Sequence, residues 1–461
     1  MVTPAHTGSP EPGTPSTPPP AGHGPDMSKV YAAVRGGALA YFVDQFDIYL
    51  PIVVIAPATV YFESPSLSAS TAALLSSFVF ASTLVGRPLG ALVFGHFADT
   101  IGRKRTTLFA VASFGITTLL VACLPGQQTI GAWSIGLLIA LRFIDGFFLG
   151  GEYTTAVPLA MEWSPRRKRG LYASLITMTS PGAYVVIAAI TLLLLQVLPS
   201  ASLHSAYVQW GWRIPFLVGA VLATVLFVYY KRAVHEPPAD RTGAKHKVPF
   251  LRLLTKHPLA LTQVFVLMTG AWLATNMEAS VTPAELPVHL GLSSKQVTLV
   301  MLIANAAATV SYPLYGMLSQ VIGRRRFFIG YGIAVLVGAS GAYALMMASG
   351  HGFGAPVGYG IALGLFAVGT YGPIAAYLTE RFPASIRSTG YGVGYSLAII
   401  APAFYQFYLR QWSSVVPSYL APALMFAIAG VLISVGGLLG PETRDVDMSQ
   451  DDTDAPVGVA A

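Results

Sequence analysis

Long apolar runs separated by short polar segments dominate the chain. Twelve such runs follow one another, and each approaches or exceeds the roughly 20 residues that a helix needs to cross the hydrocarbon layer of a membrane. They cover residues 36–62, 71–97, 106–124, 130–152, 171–198, 212–230, 258–281, 297–320, 327–348, 353–378, 389–408 and 416–439. The pattern predicts an all-α, polytopic membrane protein with twelve transmembrane helices.

The composition supports this prediction and excludes several other classes. Of the 461 residues, 54% are hydrophobic and only 10% are charged, against roughly 25% charged in a typical soluble domain. The net charge of +7 does not indicate a nucleic-acid partner, because the basic residues lie between apolar runs instead of on a polar domain. The single cysteine, Cys123, excludes a disulfide framework. With no metal-spaced histidines and no nucleophile motif, we expect no enzyme, no cofactor and no metal.

The distribution of basic residues predicts the topology. Lys and Arg concentrate in alternate loops, and only Arg213, Lys295 and Arg410 fall in the loops on the other side. Because cytoplasmic loops are enriched in Lys and Arg, both termini are expected in the cytoplasm. The chain is expected in the plasma (inner) membrane, as a monomer surrounded by lipid. Five regions follow: a disordered tail 1–28, a six-helix bundle 29–232, a linker 233–257, a second bundle 258–440 and an acidic tail 441–461.

Two loops recur at nearly one offset. The segment from Gly95 to Arg105 reappears from Gly316 to Arg326, an offset of 221 residues. In the same way, Glu162, Pro165 and Arg169 match Glu380, Pro383 and Arg387 at an offset of 218. The chain therefore reads as a duplication of six helices, and because six is even the two bundles run parallel, related by an axis along the membrane normal.

These motifs resemble the major facilitator superfamily, from about residue 29 to residue 444. Gly95, Asp99, Gly102, Arg103 and Lys104 resemble its signature loop. Further segments are similar to the metabolite:proton symporter family, whose members carry citrate, 2-oxoglutarate, shikimate and betaine: they begin at Arg87, Arg142, Gly150, Arg169, Trp212 and Glu380. The first helix, with Asp44-Gln-Phe-Asp47-Ile-Tyr49, resembles instead the aromatic-acid:proton symporters, and the eleventh carries Ile400-Ala-Pro-Ala-Phe404 where the metabolite family has Gly-Gly-x-x-Pro.

Candidates for proton coupling lie on the first and fourth helices. Asp44 and Asp47 are three residues apart and share a helix face. At 1.5 Å per residue, Asp47 and Arg142 reach similar depths near the membrane centre. Two close carboxylates in a low dielectric cannot both ionise comfortably, so one is expected to carry a proton. Asp145, three residues after Arg142, is a third candidate, and a static ion-pair network is the alternative interpretation.

Substrate contacts are expected from both bundles. Arg142 can bind an anion, and Tyr49, Trp272 and Tyr371 can stack on a flat solute, although aromatic residues often only pack helices together. Asn276 and Glu278 are two residues apart and cannot point the same way, and Glu278 is expected towards the outer end.

For Asp99 and Arg103 the resemblance implies a cytoplasmic latch that closes in the outward-facing state, and Arg87 and Glu152, in the inner parts of their helices, are expected to act as gate residues. The predicted gate comprises Arg87, Asp99, Gly102, Arg103, Glu152, Glu162, Arg169, Arg324, Glu380 and Arg387. The second copy of the loop has Gln320 in place of Asp99.

The predicted function is proton-coupled import of a small organic acid by alternating access, with the proton gradient as energy source. A facilitator or exporter of neutral solutes, such as a sugar or a drug, is the alternative within the transporters. A transporter-like membrane sensor is the alternative outside them.

Overall fold

The computed structural model describes residues 26–64, 67–200, 202–235, 249–350 and 352–448. Within these ranges eleven helices are long and apolar enough to cross a membrane. We number the spans α1 to α12, with α11 described below. The eleven are α1 Met27–Tyr61, α2 Ala69–Ile101, α3 Arg103–Ala122, α4 Trp133–Trp163, α5 Arg166–Val197, α6 Tyr207–Ala233, α7 Pro258–Leu290, α8 Ser294–Ile322, α9 Arg324–Ala348, α10 Gly354–Arg381 and α12 Ser418–Leu439.

The remaining predicted run, 389–408, differs because it forms an interrupted helix. This span, α11, consists of Arg387–Leu397, Ile400–Ala403 and Tyr405–Trp412. Pro402 has no backbone N–H to continue the helical ladder, and its carbonyl accepts a hydrogen bond of 2.8 Å from Asn276 Nδ2 instead. The break explains why this span is not among the continuous helices.

Helix α10 is interrupted at its middle as well, between Phe366 and Tyr371. The Tyr331 hydroxyl donates to the Leu365 carbonyl at 2.6 Å and accepts from the Gly369 N–H at 2.7 Å. Irregular backbone at membrane depth is tolerated where it is buried in protein and its polar groups are satisfied. The break therefore has a tyrosine that replaces the lost helical partners.

Helices α2 and α4 cross closely enough that backbone lies against backbone. A side chain at Gly90 would overlap the Phe147 carbonyl, and a side chain at Gly146 would overlap the Thr83 carbonyl. Small residues let membrane helices approach to backbone contact. Because Arg87 and Arg142 lie on these two helices, this crossing fixes the depth and spacing of both guanidinium groups.

The two halves meet along a central interface. Helices α2 and α11, α5 and α8, and α5 and α10 pack across it. The loops after α2, α4, α8 and α10 lie at one end of the bundle, which we call the basic end because it carries Arg103, Arg169, Arg324 and Arg387.

Parts of the predicted domain boundaries fall outside the described residues. These are residues 1–25 of the N-terminal tail, 236–248 of the linker and 449–461 of the acidic tail. The described end of the linker forms a short helix, Pro249–Lys256. The described beginning of the C-terminal tail packs against the basic end, where the sequence suggested only a polar extension.

Candidate functional site

Asp44 forms a buried ion pair with Arg87, on α2. The guanidinium donates to the two carboxylate oxygens at 2.9 and 3.1 Å, and neither side chain is exposed. Arg87 also lies 4.5 Å from the centre of the Tyr153 ring. Arg87, which was predicted for the gate, is thus fully buried and paired within its own half, and Asp44 binds it instead of Arg142.

Asp47 and Asp145 share the second arginine. Arg142 Nη1 lies 2.7 Å from Asp47 Oδ2 and 2.9 Å from Asp145 Oδ2. Its other nitrogens donate to the Thr83 hydroxyl at 3.1 Å and to the Asp47 carbonyl at 2.9 Å. Thr118 adds a hydrogen bond of 2.8 Å to the free oxygen of Asp47. Each of the three guanidinium nitrogens of Arg142 therefore donates a hydrogen bond to Asp47 or Thr83, where α1, α2 and α4 meet.

Glu152 completes a buried acidic excess. It is fully buried on α4, near Asp44 and Arg87, and neither of its carboxyl oxygens has a hydrogen-bond partner in the described structure. Asp145 makes no hydrogen bond there either, although it touches Arg142. Among the described residues of this cluster, four carboxyl groups (Asp44, Asp47, Asp145 and Glu152) face two guanidinium groups (Arg87 and Arg142).

Next to this cluster, a small cavity of about 10 Å³ lies between the two halves, close to the space that one water molecule needs. Its walls come from α1, α5, α7, α8, α10 and α11. The lining residues are Tyr41, Gln45, Tyr49, Ser180, Pro181, Trp272, Thr275, Glu278, Asn305, Tyr312, Val368, Tyr371 and Tyr395. We call it the central cavity.

The predicted substrate residues divide into two groups. Tyr49, Trp272, Glu278 and Tyr371 line the central cavity. Glu278 was expected towards the outer end, but its side chain is buried at this cavity, with 2% of its surface exposed. Asn276 points instead towards α11. The described lining of the central cavity contains no arginine, so Arg142 does not reach it in this conformation.

A larger cavity of about 390 Å³ opens at the end opposite the basic end. It is lined by the last turns of α1 and α7 and the first turns of α2, α4 and α8, and it is mostly apolar. Glu63 lies on its wall with a hydrogen bond of 3.0 Å from Ser76, and partial burial raises the pKa of Glu63. This cavity and the ion pairs of the basic end therefore lie at opposite ends of the bundle.

The basic end is closed by ion pairs between the halves. Glu162 accepts from Arg103 of its own half and, at 2.7 Å, from Arg387 of the other half. Glu380 accepts from Arg324 of its own half at 3.3 Å and from Arg169 of the other half at 3.2 Å. Five of these six side chains are less than 5% exposed, and that of Arg169 is 5% exposed. The six residues are all among those predicted for the gate.

Asp99 and Gly102 of the signature loop support the same closure. Asp99 accepts hydrogen bonds from the Thr389 N–H and hydroxyl at 2.9 and 2.7 Å, which joins α2 to the beginning of α11. Gly102 has a φ of 113°, a conformation that favours glycine. It makes the tight turn that leads into α3 and places Arg103 beside Glu162.

A segment at the C-terminus, residues 442–448, crosses the closed end, and we call it the strap. The Glu442 carboxylate accepts from the backbone N–H groups of Arg324 and Arg325 at 2.9 and 3.2 Å, at the beginning of α9. Thr443 donates to Glu380 at 2.8 Å. The strap thus binds directly to the ion-pair cluster around Glu380.

The strap also reaches both cross-half arginines of the gate. The Val446 carbonyl accepts from Arg169 at 3.1 Å, and the Met448 carbonyl accepts from Arg387 at 3.4 Å. Each of these arginines therefore has a glutamate on one side and a strap carbonyl on the other.

Comparisons with known proteins match this architecture. The sequence model of the major facilitator superfamily matches residues 37–404. The chain belongs to the major facilitator superfamily. It is 33% identical over 422 residues to the inner membrane metabolite transport protein YhjE of Escherichia coli, covering 90% of this chain and 93% of that one. It is 29% identical to the shikimate transporter of the same organism, covering 88% and 95%.

Solved structures show the same fold. A proton:xylose symporter superimposes with a TM-score of 0.73 at 17% identity, covering 90% of this chain and 95% of that one. This major facilitator is thus a multi-pass inner-membrane transporter and not an enzyme, as the sequence predicts. The metabolite transporters among its relatives confirm the resemblance drawn from the motifs.

Sequence reasoning missed the neutral polar residues of this major facilitator's site. Gln45 donates to Asp44 at 2.8 Å and accepts from Ser180 at 2.8 Å, and Ser180 lies 3.2 Å from the Tyr49 hydroxyl. A lone Gln or Ser within an apolar run fits any helix interface, so no pattern singled them out. The strap was missed for a different reason, since short polar sequences after a last helix usually indicate a tail.

Proposed function

We propose that this chain is a proton-coupled symporter that imports a small carboxylate metabolite by alternating access. It acts as a monomer in the plasma (inner) membrane, with both termini in the cytoplasm. Relatives named as transporters of shikimate, alpha-ketoglutarate and proline/betaine support the substrate class. Each of these compounds carries a carboxylate group.

The observation that carries proton coupling is the acidic excess of the buried cluster. Four carboxyl groups surround two guanidinium groups in the described interior of the first half. A buried charge without a counterion is costly in a membrane, and a carboxyl group avoids the cost by binding a proton. Asp47 with Asp145, and Glu152 beside Asp44, are therefore two places that can gain and lose a proton.

A hydrogen-bonded path connects this cluster to the central cavity. Asp44 accepts from Gln45, Gln45 accepts from Ser180, and Ser180 contacts Tyr49 on the cavity wall. A proton that changes the charge beside Arg87 alters the acceptor available to Gln45. Substrate binding and protonation are in this way linked through contacts, as symport requires.

Alternating access follows from the contrast between the two ends. The cavity end is open, while the basic end is held by Glu162 and Glu380 with their arginines. The conformation corresponds to an outward-facing state if the basic end is cytoplasmic. Import then requires the ion pairs between the halves to separate while the outer cavity closes.

Transport by purified protein in vesicles tests the proposal. Labelled shikimate, 2-oxoglutarate, proline and betaine are added to the solution outside vesicles that have an inward proton gradient. We expect at least one to accumulate above equilibrium, with accumulation lost when a protonophore is added. Equal, gradient-independent equilibration of every compound would indicate a facilitator, and labelled sugars serve as the neutral comparison.

One variant isolates the coupling residue. Asp145→Asn should abolish gradient-driven accumulation and retain exchange of labelled for unlabelled substrate, because the amide resembles the protonated acid and leaves Asp47 paired with Arg142. Glu285→Gln is the matched control, since it removes a carboxylate that pairs with His289, away from the buried cluster. Full accumulation by Asp145→Asn would assign coupling to another carboxyl group.

A further inference from the structure

Glu278 is a buried carboxyl group in the second half whose surroundings contain no matching cation. It lines the central cavity, and Asn305 Nδ2 donates to it at 3.0 Å. No Lys, Arg or His side chain forms an ion pair with it in the described ranges. The four acids of the buried cluster in the first half each contact an arginine or lie near one, so Glu278 differs from them.

The backbone at Glu278 also departs from a regular α-helix. Residues Met277–Val281 form a π-helical turn within α7, and the Thr282 hydroxyl donates to the Met277 carbonyl at 2.8 Å. Such turns carry a conformational cost and occur frequently at functional sites. The turn separates the directions of Asn276, which bonds to Pro402, and Glu278, which faces the cavity.

Aromatic rings form part of the wall of the cavity that Glu278 also lines. Trp272 lies edge-on to Tyr395 and Tyr371, with ring centres 5.2 and 5.8 Å apart, and the Tyr371 and Tyr395 rings are 6.4 Å apart. Aromatic faces attract cations, and a carboxylate among them adds a full negative charge. This wall suits a positively charged nitrogen and disfavours a purely anionic solute.

The opposite wall supplies neutral hydrogen-bonding groups. Gln45 and Tyr49, on α1, carry an amide and a hydroxyl that face the same cavity. Both guanidinium groups of the first half are held by their own carboxylates. In this conformation the described lining therefore has one carboxyl side chain, that of Glu278, and uncharged donors across from it.

We propose that Glu278 and the aromatic wall of Trp272, Tyr371 and Tyr395 bind a cationic nitrogen of the substrate. The transported metabolite is then a zwitterion, an amino acid or a betaine, with its carboxylate directed towards α1. This inference rests on the proposed carboxylate substrate and narrows it.

Matched pairs of ligands test the charge directly. Each pair has a zwitterion and an anion in which carbon replaces the charged nitrogen: glycine betaine with 3,3-dimethylbutanoate, proline with cyclopentanecarboxylate, pipecolate with cyclohexanecarboxylate, and phenylalanine with 2-methyl-3-phenylpropanoate. Shikimate and 2-oxoglutarate are added as plain acids. We expect thermal stabilisation of the purified wild type by at least one zwitterion and at least tenfold weaker binding of its carbon partner.

Two variants then locate the contact. Glu278→Gln should weaken the stabilising zwitterion at least tenfold while changing the affinity of its carbon partner less than threefold. Glu285→Gln, seven residues along the same helix, should bind as the wild type does. The wild-type comparison needs no variant, so it stands even if Glu278→Gln fails to fold.

Three outcomes would overturn the inference: no zwitterion stabilises the protein, a plain acid binds as tightly as the best zwitterion, or Glu278→Gln binds the zwitterion normally. If a plain acid binds and accumulates with the proton gradient, the proposed symport stands and only the charge assignment fails. If a zwitterion binds but the proton gradient does not drive its accumulation, the charge assignment stands and the proposed symport fails.

Discussion

Glu162 and Glu380 occupy equivalent positions in the two halves, and each binds one arginine from its own half and one from the other. Arg103 and Arg387 contact Glu162, while Arg324 and Arg169 contact Glu380. The sequence duplication thus yields two related ion-pair clusters at the basic end. Because each cross-half bond forms only while that end is closed, the clusters favour this conformation over its alternative.

Removing either glutamate should therefore open the basic end. Glu380→Gln leaves Arg169 and Arg324 without a carboxylate, and we expect the equilibrium to shift by about 1–3 kcal/mol, on the order of 5- to 150-fold. Spin labels on the exposed residues Lys168 and Arg326, in a Cys123→Ser background, measure the distance between the halves. A longer distance population should appear in Glu380→Gln and in Glu162→Gln.

The control for this experiment is Arg167→Gln, which removes an exposed charge from the same loop. It should leave the label distance unchanged. If both glutamate variants kept the wild-type distance, the ion pairs would be structural contacts within a conformation that other forces determine.

The strap offers a second test of the closed end, because Glu442 binds backbone N–H groups whereas Asp445 binds a side chain. Glu442 accepts from two N–H groups at the beginning of α9, where a negative charge contributes about 0.3–1 kcal/mol. Asp445 pairs with Arg166 at 2.8 Å, with both side chains at least half exposed, and such pairs contribute little. Glu442→Gln should lengthen the label distance more than Asp445→Asn does, and the reverse order would contradict this account.

The pH dependence of the Asp445 contact has a definite sign. The hydrogen bond from Arg166 lowers the pKa of Asp445, so its contribution is present above the ordinary pKa of an aspartate and is lost as the pH falls below it. The change in label distance that acidification produces should therefore be smaller in Asp445→Asn than in the wild type, by the small amount that the substitution itself produces at neutral pH.

The sequence predicted the fold well because membrane helices and their loops leave strong patterns. Apolar length located the spans, and the repeated loops and their flanking residues contain all six residues of the ion-pair clusters around Glu162 and Glu380. It could not predict the breaks in α10 and α11, since Gly369 and Pro402 are common in membrane helices and become breaks only where Tyr331 and Asn276 satisfy the backbone.

The pairing of acids and arginines was beyond the sequence for another reason. Depth along a helix placed Asp47 level with Arg142, and these residues do meet. Depth alone could not show that Asp44 turns to Arg87, because rotation of α1 and the glycine crossing of α2 and α4 decide which partner each acid reaches. The spacing of residues along the sequence gives neither the rotation of α1 nor the distance between α2 and α4.

That glycine crossing can be tested directly. A methyl group at Gly146 would overlap the carbonyl of Thr83, whose hydroxyl accepts from Arg142. Gly146→Ala should lower stability by about 1–3 kcal/mol, as overpacking does, seen as a lower melting temperature in detergent. Gly136→Ala, on the same helix but with open space around it, should be neutral or slightly stabilising because Ala favours helix. Equal melting temperatures would show that α2 and α4 separate easily.

The last prediction concerns the arginine that two acids share. Asp47 Oδ2 and Asp145 Oδ2 lie 2.7 and 2.9 Å from the same nitrogen of Arg142, so either acid alone is enough to neutralise it. Asp47→Asn and Asp145→Asn should each fold with a melting temperature near that of the wild type. The double variant leaves a buried guanidinium without any carboxylate, and we expect a loss of about 3–5 kcal/mol.

The four proteins form a thermodynamic cycle whose coupling energy should be large, because the two acids act on one partner. Melting temperatures in detergent, with Asp44→Asn as a third single variant, provide the measurement. Asp44→Asn should be more destabilising than either of the other two single changes, since Asp44 is the one carboxylate that binds Arg87 through both oxygens. Additive losses in the double variant would mean that Asp47 and Asp145 do not compete for Arg142, and the exchange of a proton between them would lose its structural basis.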